Sequence, residues 1–411
     1  MNKDKHIPAG YKPSPLGPIP DDWEVKRVKD VSSIKGRIGY RGYTTEDIIN
    51  DKDGAISLSP SNIVDGKLQY SSVTRITWQK YYESPEIMLR NGDIVMVKTG
   101  SSFGKVAFVD NLTEKATINP QFIIFKDINV DNKWLCYLFD SDAIQKNVHK
   151  IVVGGAIPTM SQEEIANFKI AVPPLPEQQS IVSVLSLWDT AIEKQTALIE
   201  KLTLRKRGLM QQLITGKKRL KGFSGEWKRI KAGEIFKSIS VKGNGSEVLL
   251  SATQEHGVIP RDQLEGRVTM PTGDTNSFKL VEVGDFVISL RSFQGGLEYS
   301  EHRGIVSPAY TVLKPIVEID KSFYRYYFKS AEFIGHLAIA VIGIRDGKQI
   351  SYEDFCFVKI PYPNVEEQKA ISTILLQADK EIEIQKQKLA AMQAQKKGLM
   401  QVLLTGKKRI N

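Results

Sequence analysis

The chain has 411 residues, of which 41% are apolar and 25% are charged, and its formal net charge is +10. This composition excludes a globally disordered chain, and the length exceeds what one hydrophobic core usually organises, so two or more domains are expected. The excess of cations favours a polyanionic partner, either a nucleic acid or an anionic membrane surface. The longest apolar run, Leu337 to Ile344, is far shorter than the roughly 20 residues of a membrane span, so no transmembrane helix is expected.

Residues 1–18 are predicted to form a flexible lead. The lead contains lysines and prolines but lacks an apolar h-region, so it does not read as a secretory signal. Cys136 and Cys356 are the two cysteines, and each has aromatic and aliphatic neighbours, which is typical of buried free thiols in a reducing compartment. We therefore expect a cytoplasmic protein without a disulfide.

Residues 19–167 predict a first mixed α/β module. It opens on Trp23, and Gly92-Asp93 forms a turn that leads into an apolar, β-branched strand ending at Lys98. A turn at 99–104, a strand around 122–125 and a helix near 134–146 complete the pattern of an α+β domain.

Residues 222–357 repeat this order in a second module. Trp227 opens it, Gly284-Asp285 precedes a strand that ends at Arg291, and the next turn covers residues 292–296. A strand around 310–313 and a helix near 323–340 follow.

Each module is followed by a segment that recurs nearly unchanged, predicted as spacer helices within residues 168–221 and 358–411. Glu177-Gln178 recurs as Glu367-Gln368, and Thr215 to Arg219 recurs as Thr405 to Arg409. In both copies apolar residues keep a heptad repeat over more than four turns, which predicts a left-handed coiled coil. A glutamine and a lysine, Lys206 and Lys396 being the lysines, interrupt both seams at the same places. The predicted helix-pairing residues are Ile181, Leu185, Trp188, Ile192, Gln195, Ile199, Leu202, Ile371, Leu375, Ile382, Gln385, Leu389 and Met392.

Prolines at the start of each segment and a glycine at its end suit a helix of about 38 residues, roughly 57 Å long. Two such helices in one chain can pair antiparallel and hold the modules at opposite ends. The alternative is that each apolar stripe packs on its own module. Gln195 and Gln385 lie near the midpoints of the seams, and an antiparallel pair with a pseudo-twofold would let them hydrogen-bond and fix the register. Otherwise each faces a groove filled by a partner's helix or by water.

Motifs of catalysis are missing from the sequence. Asn119-Pro120-Gln121-Phe122 lacks the second proline of an adenine methyltransferase loop, and Gly216-Lys217 lacks the earlier glycine of a phosphate-binding loop. Asp21, Glu24 and Lys26 are so close in sequence that a solvated turn is favoured over a nuclease centre. The histidines show no paired metal spacing. We expect no catalytic centre, no metal and no cofactor.

The ordered motifs resemble those of the DNA-specificity subunit of type I restriction-modification systems. The resemblance rests on the Ile-Pro-x-x-Trp opening, the turn after the Gly-Asp strand, the Pro-Pro-Leu-Pro-Glu-Gln-Gln helix start, and their duplication. It implies an α+β fold with two target recognition domains separated by two long antiparallel coiled-coil helices, in a pseudo-twofold internal repeat. It further implies that each domain reads one half of a bipartite, asymmetric site in double-stranded DNA. Two modification (methyltransferase) subunits would dock on the helices, and two restriction (motor-nuclease) subunits are a further possible addition. The assembled complex would methylate adenine and cleave DNA, while this subunit is non-catalytic.

Recognition of DNA needs cations for phosphates and amides or guanidinium groups for base edges. Loops on a rigid sheet are the usual place for such residues. The predicted contacts are Lys98, Thr99, Ser101, Ser102, Lys105, Arg291, Ser292, Gln294, Arg345 and Lys348, the last two in the second of two loops, Gly154 to Thr159 and Arg345 to Gln349, that precede the helices. Two alternatives remain open: a coiled-coil adaptor that binds no nucleic acid, and a self-contained DNA-modifying enzyme.

Overall fold

The computed structural model describes residues 7–50, 53–150, 159–264, 273–341 and 350–410. The predicted contacts Arg345 and Lys348 lie outside these ranges, as do residues 154–158 of the first loop. The chain divides into two compact units, here called unit 1 (Met1–Gln195 with Lys388–Asn411) and unit 2 (Thr196–Gln387).

Unit 1 is a mixed α/β domain. Its strands are β1 (Tyr11–Lys12), β2 (Ile19–Pro20), β3 (Glu24–Arg27), β4 (Ser33–Gly36), β5 (Ile48–Ile49), β6 (Ala55–Leu58), β7 (Ile63–Val64), β8 (Lys67–Leu68), β9 (Thr74–Ile76), β10 (Ile94–Val97), β11 (Val106–Phe108), β12 (Ala116–Ile118), β13 (Phe122–Lys126) and β14 (Lys169–Val172). Its short α-helices are α1 (Val28–Val31), α2 (Trp78–Tyr82), α3 (Asn132–Asp140), α4 (Asp142–Lys150) and α5 (Gln162–Ala166). Single 3-10 turns lie at Gly39–Arg41, Thr45–Asp47, Pro60–Asn62 and Pro85–Ile87.

Strand β10 lies inside the main sheet of unit 1, whose order is β4-β13-β10-β11-β8-β7. Ile94 and Met96 pack into a core shared with α3, while Val95 and Val97 face a second core on the other side. Because side chains alternate across a strand, burial on both faces explains the uninterrupted apolar sequence of this strand. The sheet β12-β6-β9-β5 forms part of the second core.

Unit 2 has the same kind of fold. Its strands are β15 (Lys228–Lys231), β16 (Phe236–Ile239), β17 (Leu250–Thr253), β18 (Gly257–Pro260), β19 (Lys279–Val281), β20 (Phe286–Ile288), β21 (Glu298–Tyr299), β22 (Gly304–Val306), β23 (Thr311–Pro315) and β24 (Lys359–Tyr362). Its short helices are α7 (Ala232–Ile235), α8 (Ser292–Gly295), α9 (Lys321–Tyr327), α10 (Ala331–Val341) and α11 (Tyr352–Phe357), with a 3-10 turn at Arg261–Gln263. In the sheet β16-β23-β20-β21, Phe286 and Ile288 face one core and Val287 faces another, as in unit 1.

Two long helices, α6 (Leu175–Leu213) and α12 (Val365–Leu403), contain 39 residues each. In unit 1, Glu177 and Asp189 of α6 pair with Arg409 and Lys396. In unit 2, four residues at the equivalent positions of the repeat pair in the same way, namely Glu367 with Arg219 and Asp379 with Lys206. Within each unit the residue number rises on one helix as it falls on the other, so the helices pair antiparallel. The predicted fold class is confirmed.

Each predicted helix-pairing residue is buried or partly buried, including Gln195, which is 6% exposed. Ile181 and Leu185 share a core with Met400 and Leu403 of α12 and with the module's own residues. The start of the seam therefore packs on the module and on the other helix together, a combination of the two arrangements that the sequence allows. The hydrogen bond between Gln195 and Gln385 stays a prediction.

Residues 11–12 pair with residues 19–20 in a hairpin, and the flexibility predicted for residues 1–18 stays a prediction. Two of the predicted helices are wrong in their extent. The helix predicted near 134–146 is two helices, because Ser141 has an extended backbone and caps α3 with an N–H bond to Leu138 O. The helix predicted near 323–340 is likewise divided into α9 and α10.

The turn predicted at residues 292–296 is mostly a short helix, α8. Both cysteines are free, as expected, and partly rather than fully buried. Burial raises the pKa of the Cys136 thiol.

Candidate nucleic-acid interface

A cluster of hydrogen-bonded side chains connects Trp23 to the start of α6. Its indole Nε1 donates to Glu177 Oε2 at 2.9 Å, and Arg409 donates to both oxygens of Glu177 at 2.6 and 2.8 Å. The same guanidinium also donates to both carboxylate oxygens of Asp22, at 2.9 and 2.8 Å. Glu177 is 8% exposed, so the positive charge of Arg409 compensates a carboxylate that would otherwise be costly to bury.

The same cluster holds the second module to the start of α12. Trp227 Nε1 donates to Glu367 Oε2 at 3.0 Å, and Arg219 donates to both oxygens of Glu367 at 2.6 and 2.7 Å. The next residue of each repeat, Gln178 or Gln368, accepts a hydrogen bond from the N-cap residue of α3 or α9 at 2.7 or 2.8 Å. The repeated tryptophan, the Glu-Gln pair and the arginine therefore fix the orientation of each module on the long helices.

The predicted DNA-contact residues of unit 1 form a turn at the end of β10. Lys98 and Thr99 are partly exposed, Ser101 and Lys105 are exposed, and Ser102 is partly exposed. Gly100 and Gly104 have φ values of +100° and +84°, which only glycine adopts without strain and which let the chain reverse into β11. Partial burial lowers the pKa of the Lys98 ammonium. The turn thus presents hydroxyls and cations from a rigid sheet.

Two other segments of unit 1 lie against this turn. The backbone N–H of Lys98 donates to Gln121 O at 2.7 Å, and the Thr99 and Thr159 hydroxyls are 3.0 Å apart. Asn119 is held in turn by β6, because its backbone N–H donates to Leu58 O at 2.9 Å. We call the polar surface formed by residues 98–105, 119–121 and 159 the first reading edge.

Unit 2 places its predicted contacts differently. Arg291 and Gln294 are exposed, but Ser292 is 1% exposed and its Oγ accepts from Ser289 N at 2.8 Å. The Ser292 hydroxyl holds the turn between β20 and α8 and is buried there, and its contact with DNA stays a prediction. The burial arises because a short helix replaces the open turn, which buries its first residue.

Arg291 lines a cleft of about 510 Å³ at the end of β20. The cleft also contains the turn between β17 and β18, with Gln254 and His256, and the side of Tyr310. We call the surface formed by residues 253–256, 291, 294 and 310 the second reading edge. Sequence patterns do not reveal Gln254, His256 or Tyr310, because these residues become neighbours of Arg291 only through sheet pairing.

The described residues contain no cluster of side chains that could hold a metal ion. Over the same residues, no helix has both the length and the apolar character needed to cross a membrane.

Residues 20–204 and 224–394 match the sequence model of the type I restriction modification DNA specificity domain. The chain belongs to this family. The predicted resemblance is thereby confirmed, and the chain is a non-catalytic type I specificity subunit whose role is recognition of a DNA target.

One protein similar in sequence and two solved structures similar in fold are described as parts of type I restriction systems. The chain is 26% identical to the putative type I restriction enzyme MjaX specificity subunit of Methanocaldococcus jannaschii, over 97% of each chain. Among solved structures, it is similar in fold to a chain from a study of assembly and conformational transition of the type I R-M system, with a TM-score of 0.62, 19% identity, and coverage of 95% of this chain and 99% of that one. It is also similar to the type I S subunit from M. genitalium, with a TM-score of 0.51, 16% identity, and coverage of 93% and 96%.

Proposed function

We propose that this specificity subunit reads a bipartite, asymmetric sequence in double-stranded DNA, with unit 1 and unit 2 each contacting one half-site. The observation that carries the proposal is the difference between the two reading edges on otherwise repeated units. The first edge offers Lys98, hydroxyls and an amide, whereas the second offers Arg291, Gln294 and a cleft. Unlike donor and acceptor sets select unlike base pairs.

The subunit also docks two methyltransferase subunits, and two restriction subunits join in the complete complex. Exposed apolar side chains on the long helices support a docking role, because large apolar groups are rarely left exposed together without a partner. In unit 2, Leu204 is 67% exposed, and Leu376 and Ile384 are 40% and 50% exposed. The methyltransferase subunits supply the adenine chemistry, and the complex works in the cytoplasm, where its DNA substrate lies.

Mapping of methylated adenines in the host genome tests this function. Deletion of the gene should abolish methylation at one gapped, asymmetric motif, and reintroduction should restore it. Exchange of unit 2 for that of another specificity subunit should change one half of the motif only. A host whose methylation is identical with and without the gene would refute the proposal.

Docking has its own test. Leu376→Asp should reduce co-purification of the methyltransferase subunit with the full-length chain at least about tenfold, because it puts a charge into an apolar contact. Val283→Asp is the matched control, since Val283 is 59% exposed but lies on the module rather than on a long helix. Equal retention by the two variants would place the docking surface elsewhere.

A further inference from the structure

The turn between β12 and β13 holds a glutamine side chain in a defined orientation. Asn119 Oδ1 accepts from the backbone N–H of Gln121 at 3.0 Å, and Asn119 Nδ2 donates to Gln121 Oε1 at 3.0 Å. A backbone N–H can only donate, so the atom of Asn119 that faces it must be the oxygen. Nδ2 then faces the glutamine, which fixes Oε1 as the acceptor and turns Nε2 away from Asn119.

Nε2 of Gln121 lies over the turn predicted to contact DNA. A Cβ atom built at Gly100 would be 3.2 Å from Nε2, so the absence of a side chain at Gly100 makes room for the amide. The carbonyl of Gln121 accepts from Lys98 N at 2.7 Å, which fixes the backbone as well. Gln121 is partly exposed and makes no other side-chain hydrogen bond within the described part of the chain.

We propose that Gln121 is a specificity-determining residue that reads an adenine in the major groove of the half-site bound by unit 1. This inference rests on the proposed function and names one base contact within it. Adenine offers N7 as an acceptor and the N6 amino group as a donor on its major-groove edge. Gln121 Nε2 donates to N7, and the second lone pair of Oε1 accepts from N6, while the first remains with Asn119.

Unit 2 contains the same turn without the amide. Ser307, Pro308 and Ala309 precede Tyr310 as Asn119, Pro120 and Gln121 precede Phe122. Ser307 Oγ accepts from Ala309 N at 3.3 Å, just as Asn119 Oδ1 accepts from Gln121 N. The backbone is thus capped in both units, but only unit 1 has a side chain that can read a base from this position. The half-site bound by unit 2 is read by other residues.

Gln121→Glu is the sharpest variant, because the carboxylate is isosteric and still accepts from Asn119 but has no donor for adenine N7. The complex is purified from its host with the subunits that accompany it and is used to select duplexes from a randomised library. The adenine preference at one base pair should fall by at least about fivefold, with the other half-site unchanged. Gln69→Glu, at an exposed position of unit 1, adds the same charge and should keep every preference.

Asn119→Ser tests the positioning role of the asparagine. Serine keeps an acceptor for Gln121 N, as Ser307 does in unit 2, but removes the donor that orients the amide. Preference at the same base pair should broaden, while the denaturation midpoint and the affinity for non-specific duplex stay unchanged. A merely structural role for Asn119 would instead lower stability without altering base preference.

The outcomes separate this inference from the function on which it rests. If the wild-type complex selects no sequence, the proposed function fails. If the wild type selects a bipartite motif and Gln121→Glu selects the identical motif with equal discrimination, only the role of Gln121 is overturned. Loss of preference in both half-sites, or loss of all binding at low salt, also overturns it, because a single base contact cannot have either effect.

Discussion

Lys396 Nζ lies 2.6 Å from Asp189 Oδ1, which joins α12 to α6 inside unit 1. The hydroxyl of Tyr137 donates to the other oxygen of the same carboxylate at 2.5 Å, and Lys396 also lies 5.2 Å from the centre of the Tyr137 ring. Three elements, α3, α6 and α12, therefore meet at one charge pair. In unit 2, Tyr326, Asp379 and Lys206 make the equivalent cluster.

Asp189→Ala should lower the free energy of unfolding by about 1–2 kcal/mol. The cluster loses two charge-assisted hydrogen bonds, and the value is discounted because Lys396 and Asp189 remain 17% and 31% exposed. Glu193→Ala is the control, since the side chains of Glu193 and its partner Lys67 are 66% and 55% exposed. Their ion pair should therefore contribute under about 1 kcal/mol to stability. Urea denaturation measures both, and equal losses would show that the cluster has no special role.

Arg409→Ala should be more destabilising, by roughly 2–3 kcal/mol, because it leaves the buried carboxylate of Glu177 without its cation. Arg409→Lys should cost less, since it keeps the charge but loses the two-pronged geometry. Urea denaturation of the wild type and the two variants measures these losses. A stability loss no larger for alanine than for lysine would contradict this account.

The link between Asp22 and Arg409 predicts a pH effect. Hydrogen bonding to Arg409 is the largest cause that lowers the pKa of Asp22 below 3.8. A lowered pKa in the folded state adds stability above the unfolded-state value, and that stability is lost as the pH falls through the folded-state value. Asp22→Asn should therefore flatten part of the stability loss below about pH 4. In an Arg409→Ala background the same substitution should have a smaller effect on the acid limb, and an undiminished effect would point to another partner.

Two glycines of the repeat should respond oppositely to alanine. Gly208 lies within α6 with nothing near a built Cβ, so Gly208→Ala should stabilise the protein by about 0.5–1 kcal/mol. Gly216 has φ +72°, and a Cβ there would be 2.9 Å from the Trp227 ring, so Gly216→Ala should destabilise by about 1–2 kcal/mol or more. Thermal denaturation of the two variants checks the signs, and a shift in the same direction would refute the argument.

Phosphate contacts should appear in the salt dependence of DNA binding. Lys105→Ala should reduce the slope of log K against log salt by about 0.9 if it contacts one phosphate, without altering base preference. Lys80→Ala, whose lysine is paired with Glu83, is the control and should keep the slope. An unchanged slope for Lys105→Ala would remove this residue from the interface.

The two long helices and the strands after the Gly-Asp turns could be predicted from the sequence, but the contacts between distant residues could not. The heptads around Ile181 and Ile371 are local periodicities, so they indicate the helices directly. The partnership of Glu177 with Arg409 depends on how the chain folds back, which no local pattern encodes. In the sequence Ser292 has the pattern of an exposed turn residue, but in the structure it is buried because it begins the short helix α8. Gln121 could not be identified from the sequence, because the only pattern recognised in Asn119-Pro120-Gln121-Phe122 is an incomplete methyltransferase loop.

Unit 1 is built from two segments, residues 1–195 and 388–411, that lie on either side of unit 2 in the sequence. Met400, Leu403 and Leu404 belong to the core that contains Trp134 and Val148, and Tyr11 donates to Gly406 O at 2.7 Å. Unit 2 is continuous in sequence and can close its core while synthesis is still under way. The core of unit 1 therefore needs residues that are synthesised after all of unit 2, and a chain that stops at residue 387 would contain every residue of unit 2 but not the part of α12 that completes unit 1.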